Sequence, residues 1–527
     1  MSFEMGAWMK KSASIAATAL AATFASSPAD AKWLRAETDS FIIYSEGSEK
    51  SLREFAANLQ RFDSTLRVIF RTSYEGEDNR LPIYLLPSAT DVGELASGSR
   101  GSSIAGFYRH DRDGSFALSH REQGNVDPAF GTSRAQQVLF HEYSHHFMKR
   151  HLRAAFPAWF IEGFAEYHST VDFDKEGRAE LGKPVFSRAY GLLRMPKIPA
   201  EKLLFEQPGA MRNSGQTDVY YGRAWILTHM LYQSSARDGQ MNAYVAAINA
   251  GTDARQAATQ VFGDLAQLDK DLNRYINGKL SYSLTRTPIP VPANITVTPL
   301  AADEDAVIEA RLERLNARGS TERTTKARDA LRRLADADPA NAEAQYEYAA
   351  AEWDMDEDVR DLPAVRGALD KALAAKPEHV RANVLLGRLM LHELDEKGEE
   401  DPAPWREARK PIQRANRADP LDPVPLYAYF RSFLDEGIRP TEPALKALER
   451  AFSIAPENIE VRVSYAFALA NRGDFDSALA LAKSVAFDPH DNGRGEAMLK
   501  RLEAMRKEHT ERTAAETDAE AGNDSTA

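Results

Sequence analysis

Apolar positions switch between two periods along the first half of the chain. FIIYSEG (Phe41–Gly47) is an apolar, β-branched run that reads as a strand, and the next residues, from about Glu49 to Phe70, repeat their apolar positions at helical spacing. LPIYLLP (Leu81–Pro87) is a continuous apolar run between prolines, the pattern of a buried strand. GFYRHDRDGSFALSH (Gly106–His120) reads as two strands about an Asp-Gly turn at Asp113-Gly114. After Ser133 the period becomes helical and stays so to about Tyr275.

The segment TPIPVPANITVTP (Thr287–Pro299) is rich in proline and β-branched residues, hence extended, and marks a domain boundary. Beyond it the pattern is helical almost throughout. Pro339, Pro377, Pro420, Pro456 and Pro489 each separate two amphipathic stretches, at spacings of 38, 43, 36 and 33 residues. A near-period of this length belongs to stacked helix pairs, each of which buries its apolar face only against its neighbours. The unit Asn458–Pro489 resembles a tetratricopeptide repeat, with Gly473-Asp474-Phe475 at the turn between helices and Ala478 early in the second helix. The polar tail from Glu508 is low in hydrophobic residues and reads as disordered.

The first residues change the picture of where the protein works. Lys10 and Lys11 precede a 13-residue small and apolar run, Ser12–Phe24, and Ala29-Asp30-Ala31 then forms an A-x-A pattern before Lys32. The run is too short for a bilayer-spanning helix, so the mature chain is expected to lack a transmembrane segment and to be exported, periplasmic or secreted. There is no cysteine. Disulfides and thiolate metal sites are therefore excluded, and any metal must be held by histidine and carboxylate. The net charge of -12 argues against a nucleic-acid partner, which calls for a basic surface.

Chemistry concentrates in QQVLFHEYSHHFMKR (Gln136–Arg150). On a helix, His141 and His145 lie on one face and can aim both imidazoles at one ion, with Glu142 beside them to take a proton from water. A third protein ligand is needed. His151 stands ten residues after His141, the spacing of the metzincin motif HExxHxxGxxH, but Met148 occupies the position where that motif turns out of the helix on glycine. A continuous helix carries His151 about 80° away from His141 and well along the axis. His146 lies about 100° around the helix from His145, and His168 is more remote still. Glu162 and Glu166, in PAWFIEGFAEYHS (Pro157–Ser169), are four residues apart on the next predicted helix. One of them can bind a metal while the other supports a ligand.

HEYSH followed by WFIEGFAEY resembles the gluzincin metallopeptidases, the thermolysin-like and aminopeptidase-like enzymes whose third ligand is a glutamate on the helix after HExxH. The resemblance covers roughly residues 33–280, and only the two helical motifs are specific. It implies Zn2+ held by His141, His145 and Glu162, with Glu142 as general base. Glu166 then holds a ligating histidine by a hydrogen bond. YYGRAWILTHML (Tyr220–Leu231) resembles the helix that follows in exported members, which points to Tyr221 as donor to the oxyanion, with Tyr220 its competitor and His229 weaker. The Gly106–His120 hairpin falls where the family keeps an edge strand for extended peptides. Ser115–Phe140 lacks the Gly-x-Met-Glu-Asn segment of the aminopeptidases, so an endopeptidase is expected.

The expected architecture is an α+β metallopeptidase domain, a small mixed sheet with active-site helices, followed by an all-α tetratricopeptide-like domain. Its boundaries are 1–31 signal peptide, 32–282 peptidase domain, 283–305 extended linker, 306–507 repeats and 508–527 tail. The expected function is zinc-dependent hydrolysis of a peptide or protein substrate, with a protein partner on the repeats. The alternative is a repeat scaffold with a non-cleaving metallopeptidase-like domain. Hydrolysis of some other amide would use the same residues.

Overall fold

The structure, a computed structural model, describes residues 33–524 apart from 74–75, 103, 112, 122–132 and 490–492. The signal-peptide reading of residues 1–31 lies outside these. The strands are β1 (Trp33–Glu37), β2 (Phe41–Glu46), β3 (Leu81–Leu86), β4 (Phe107–Asp111), β5 (Gly114–His120), β6 (Asp172–Phe173), β7 (Ala179–Leu181), β8 (Ser283–Leu284) and β9 (Thr296–Pro299). Six of them form one mixed sheet in the order β4-β5-β3-β2-β1-β9, with β2, β3 and β5 parallel and β4 antiparallel at one edge. The three short strands β6, β7 and β8 form a second sheet.

Alternation along each strand sends residues to opposite faces of the main sheet. Ile43, Ile83 and Ala117 face the large core under the helices, whereas Tyr84, Phe116 and Leu118 face a second apolar layer. That second layer includes Val92 and Leu95, together with Ile308 and Leu312 from the first long helix of the C-terminal half. Burial on both faces is why LPIYLLP is apolar at successive positions instead of alternating.

The helices of this half are α1 (Glu49–Phe70), α2 (Ala89–Ser97), α3 (Arg134–His151), α4 (Ala158–Ser169), α5 (Ala189–Arg194), α6 (Ala200–Phe205), α7 (Ser214–Gln233) and three more up to Ile276. The start of α1 follows from its cap. The Ser48 side chain accepts the Ser51 N–H, and Arg71 at φ 53 ends the helix in the left-handed region. Against α1, Phe62 stacks on Phe140 of α3 with ring centroids 3.9 Å apart, and the Tyr143 hydroxyl donates to Asp63 at 2.5 Å. These contacts fix the roll of α3, and thereby which residues it turns toward the cleft.

The C-terminal half contains four successive antiparallel helix pairs, 342–353 with 362–375, 380–396 with 402–418, 423–435 with 442–454, and 459–471 with 475–486, preceded by Ile308–Ala317 and Thr321–Ala337 and followed by Arg494–Asp524. Pro339, Pro377, Pro420 and Pro456 each precede the first helix of a pair by one residue and a cap. Asn341, His379, Asp422 and Asn458 each accept a backbone N–H at that start. Gly473 at φ 86 turns the last pair, a conformation that glycine adopts without steric cost.

Two expected boundaries are corrected. The 283–305 segment, expected as an extended linker, contains β9, which pairs antiparallel with β1 as an edge strand of the sheet. An edge strand tolerates the proline that made the segment read as a spacer. The tail beyond Glu508 continues the helix Arg494–Asp524. Its polarity was informative about the absence of a core, while its alanine and glutamate content favours helix. Among the described residues, no helix is long and apolar enough to cross a membrane.

Candidate metal centre

Helix α3 begins at Ser133, whose hydroxyl accepts the Gln136 N–H at 3.2 Å, and runs unbroken through Met148 to His151. With no glycine to end it earlier, His151 points elsewhere: its Nε2 lies 3.2 Å from Glu77. The Nδ1 of His146 lies 3.0 Å from the Tyr108 hydroxyl, and the Nδ1 of His168 is 2.8 Å from the Phe164 carbonyl in the core. None of the three joins the group on the cleft side.

The residues that do come together are His141, His145 and Glu162, whose ligand atoms all lie within 4.8 Å of one another. The two Nε2 atoms are 3.1 Å apart, and each is 3.5 Å from the same oxygen of Glu162, Oε2. Nitrogen and oxygen ligands at roughly 2.0–2.1 Å in a tetrahedron stand about 3.3 Å from each other. The donor set and its spacing therefore fit one zinc ion. Glu162 is fully buried and His145 nearly so, while His141 is partly open to solvent.

Behind this triangle, Glu166 places Oε1 3.4 Å from His141 Nδ1, one helical turn beyond Glu162. Arg188 holds that carboxylate at 2.7 Å and reaches Asp218 at 2.6 Å with its other nitrogen. Burial alone would raise the Glu166 pKa, but Arg188 and His141 keep it below the ordinary carboxylate value. Burial alone would push His141 down, and the carboxylates of Glu162, Glu166 and Glu142 more than reverse this, raising it to about 9. A field so negative suits a cation.

Glu142 sits beside the triangle and accepts the Tyr108 backbone N–H of edge strand β4 at 3.1 Å. The opposite wall is α7. Its closeness depends on Gly163, where an added Cβ would stand 2.2 Å from Thr228 Oγ1 and 2.5 Å from the Ala224 carbonyl oxygen. With only hydrogen there, α4 and α7 approach backbone to backbone, and Tyr221 comes to 6.2 Å from the His141 ring, centroid to centroid. Arg188 lies over the Tyr221 ring at 4.9 Å. Tyr220 turns the other way, fully buried, and its hydroxyl donates to the Glu206 carbonyl at 3.1 Å. His229 is held in the core between the Tyr275 hydroxyl and the Gly182 carbonyl, each at 2.9 Å.

Sequence reasoning did not find Arg188 or Asp218. Asp218 precedes Tyr221 by one helical turn, a signal that was available. Arg188 lies in a short irregular stretch, with nothing periodic to mark it.

A family model described as tetratricopeptide repeat matches residues 442–502, which run from the helix Glu442–Ile454 through the last helix pair. No curated protein matches the chain. Among solved structures it is similar to MamA, at 20% identity over 33% of this chain and 92% of that one, with a TM-score of 0.25. A thermophilic TPR protein in Thermus thermophilus matches at 18% identity over 39% and 98%, with a TM-score of 0.30. The pilF protein of Pseudomonas aeruginosa matches at 20% identity over 41% and 90%, with a TM-score of 0.30. By the family match, the C-terminal arm contains tetratricopeptide-type repeats, an architecture that presents an extended surface for protein contacts.

Proposed function

We propose that the chain is an exported zinc metallopeptidase, an endopeptidase, whose repeat arm serves protein contacts. The observation that supports it is the triangle of His141 Nε2, His145 Nε2 and Glu162 Oε2, with edges of 3.1, 3.5 and 3.5 Å. Three protein ligands leave a fourth position open, as catalytic zinc requires and structural zinc does not. When bound, zinc would act as a Lewis acid toward a peptide carbonyl and make water more acidic. Glu142 takes the proton of the attacking water and returns it to the leaving amine. Tyr221 stays protonated, because burial and then the Glu162 carboxylate push its pKa well up, and its hydroxyl donates to the developing oxyanion. Glu166 orients His141 through Nδ1, and Arg188 holds Glu166 in turn.

A second reading, favoured by the family match in the arm, is a binding scaffold whose N-terminal domain does not cleave. Hydrolysis of a quenched peptide library by the zinc-loaded chain separates the two. Tyr221→Phe is expected to lower kcat by ~10²–10³-fold with zinc content unchanged. Tyr220→Phe is expected to leave kcat within about twofold, since its hydroxyl is bonded to Glu206 away from the cleft. Zinc-loaded wild type that cleaves nothing would favour the scaffold, and equal losses in both variants would remove Tyr221 from its role.

A further inference from the structure

The β4–β5 hairpin reaches in two directions. At its base, the Tyr108 N–H meets the Glu142 carboxylate; at its tip, Asp113 enters the C-terminal arm. One carboxylate oxygen of Asp113 accepts from Arg388 at 2.9 Å and the other from Arg318 at 2.6 Å. Arg318 caps the helix Ile308–Ala317, and Arg388 stands in the helix Val380–Glu396, so two separate parts of the arm close on one side chain. Next to it, Gly114 has φ 120, and an added Cβ would meet Arg381 at 3.8 Å. Two strand positions up from the Asp111–Gly114 pair, Arg109 donates to the Leu315 carbonyl at 2.6 Å. The tip lies in a cavity of about 410 Å³ lined by successive first helices of the helix pairs, including Tyr346, Glu347, Arg381 and Val424. The chain's own hairpin thus forms one wall of this cavity, against the first helices of the pairs.

Such a contact is more than packing. Two guanidinium groups from different helices fix both oxygens of one carboxylate, which limits slide and rotation of the turn. Burial would raise the Asp113 pKa, yet the two arginines hold it well below the usual carboxylate range. Asp113 lies five positions along the chain from Tyr108, and the strands pair from Tyr108↔Ala117 to Asp111↔Gly114. A displacement of the tip is therefore transmitted to the strand that meets Glu142. The opposite end of the arm is tied to the same region, since Arg462 donates to the Lys149 carbonyl at 2.6 Å and Lys149 pairs with Asp488 at 2.7 Å.

We propose that Arg318 and Arg388 are positioning residues: through Asp113 the arm clamps edge strand β4 in the register that aligns substrate with Glu142. The arm is then part of the catalytic apparatus in cis, besides offering a surface to other proteins. This rests on the peptidase reading for its consequence, but the clamp itself does not.

The test compares full-length wild type with Asp113→Asn, Asp113→Glu and Arg388→Ala, following amide hydrogen exchange by mass spectrometry and peptide hydrolysis in the same preparations. Loss of one charge-assisted contact is expected to speed exchange across residues 107–111 by roughly 10-fold, with α3 and α4 unchanged and zinc content equal. Asp113→Glu, which keeps the charge, is expected to recover most of the protection. Where hydrolysis is measured, KM rises several-fold in Asp113→Asn while kcat holds within about twofold, because Glu142 and the ligands stand on α3 and α4. Unchanged exchange in both Asp113→Asn and Arg388→Ala overturns the clamp. Faster exchange without any change in KM overturns its link to substrate. Zinc-loaded wild type without hydrolysis but with the expected exchange pattern overturns the peptidase reading and leaves the clamp standing.

Discussion

Glu142→Gln is expected to lower kcat for peptide hydrolysis by ~10²–10⁴-fold while the chain still binds one zinc. Glutamine has the same shape and can still accept the Tyr108 N–H, so β4 and α3 keep their contact. What is lost is the capacity to take a proton from water and return it to the amine. Glu142 touches neither imidazole in the ligand triangle, whose edges run among His141, His145 and Glu162 alone. Steady-state kinetics with metal analysis of the same sample checks the separation. Equal loss of zinc and activity would place Glu142 among the ligands instead.

The second large effect concerns how the site is held. Glu77 is half-buried and accepts from Arg67 of α1 and from Arg150 of α3, and His151 approaches it at 3.2 Å. Arg150 also reaches Glu457 and the Ile454 carbonyl of the arm, each at 2.8 Å. Glu77→Ala leaves two buried guanidinium groups short of an anion, and removal of one partner from such a network costs ~3–5 kcal/mol. Urea unfolding at neutral pH checks this, with a shifted midpoint expected. The pH dependence follows from the same contacts. Burial would raise the Glu77 pKa, but hydrogen bonds from His151, Arg150 and Arg67 hold it well below the ordinary value. A depressed folded-state pKa contributes stability that is complete above the unfolded value of about 4.3 and is lost as pH falls below it. Wild type is therefore expected to lose stability on the acid side more steeply than Glu77→Ala. Parallel acid limbs would show that Glu77 carries no net stabilisation.

What the sequence made legible was local. Helix α1, expected from about Glu49 to Phe70, was readable because its apolar positions recur at helical spacing along its whole length. The run through Met148 to His151 followed from the residue at Met148, since nothing there ends a helix. The choice of Glu162 over Glu166 came from the resemblance to the gluzincins, because helical spacing alone left both carboxylates open; the structure brings Glu162 together with the two histidines. Contacts between distant segments were not legible. Asp113 was recognisable as a turn residue, but its partners stand 205 and 275 residues away. Arg188 bridges Glu166 and Asp218 across 22 and 30 residues from a stretch without periodicity. The strand β9 hid behind its prolines, because an edge strand and an extended spacer share one composition.

The central claim is a single zinc ion on His141, His145 and Glu162. Metal content by mass spectrometry, on wild type beside His145→Ala, Glu162→Ala and His151→Ala, tests it most directly. The account predicts one zinc per chain in wild type and in His151→Ala, lost in the other two. Zinc kept by Glu162→Ala and lost from His151→Ala would contradict it, as would wild type that binds none after zinc is supplied.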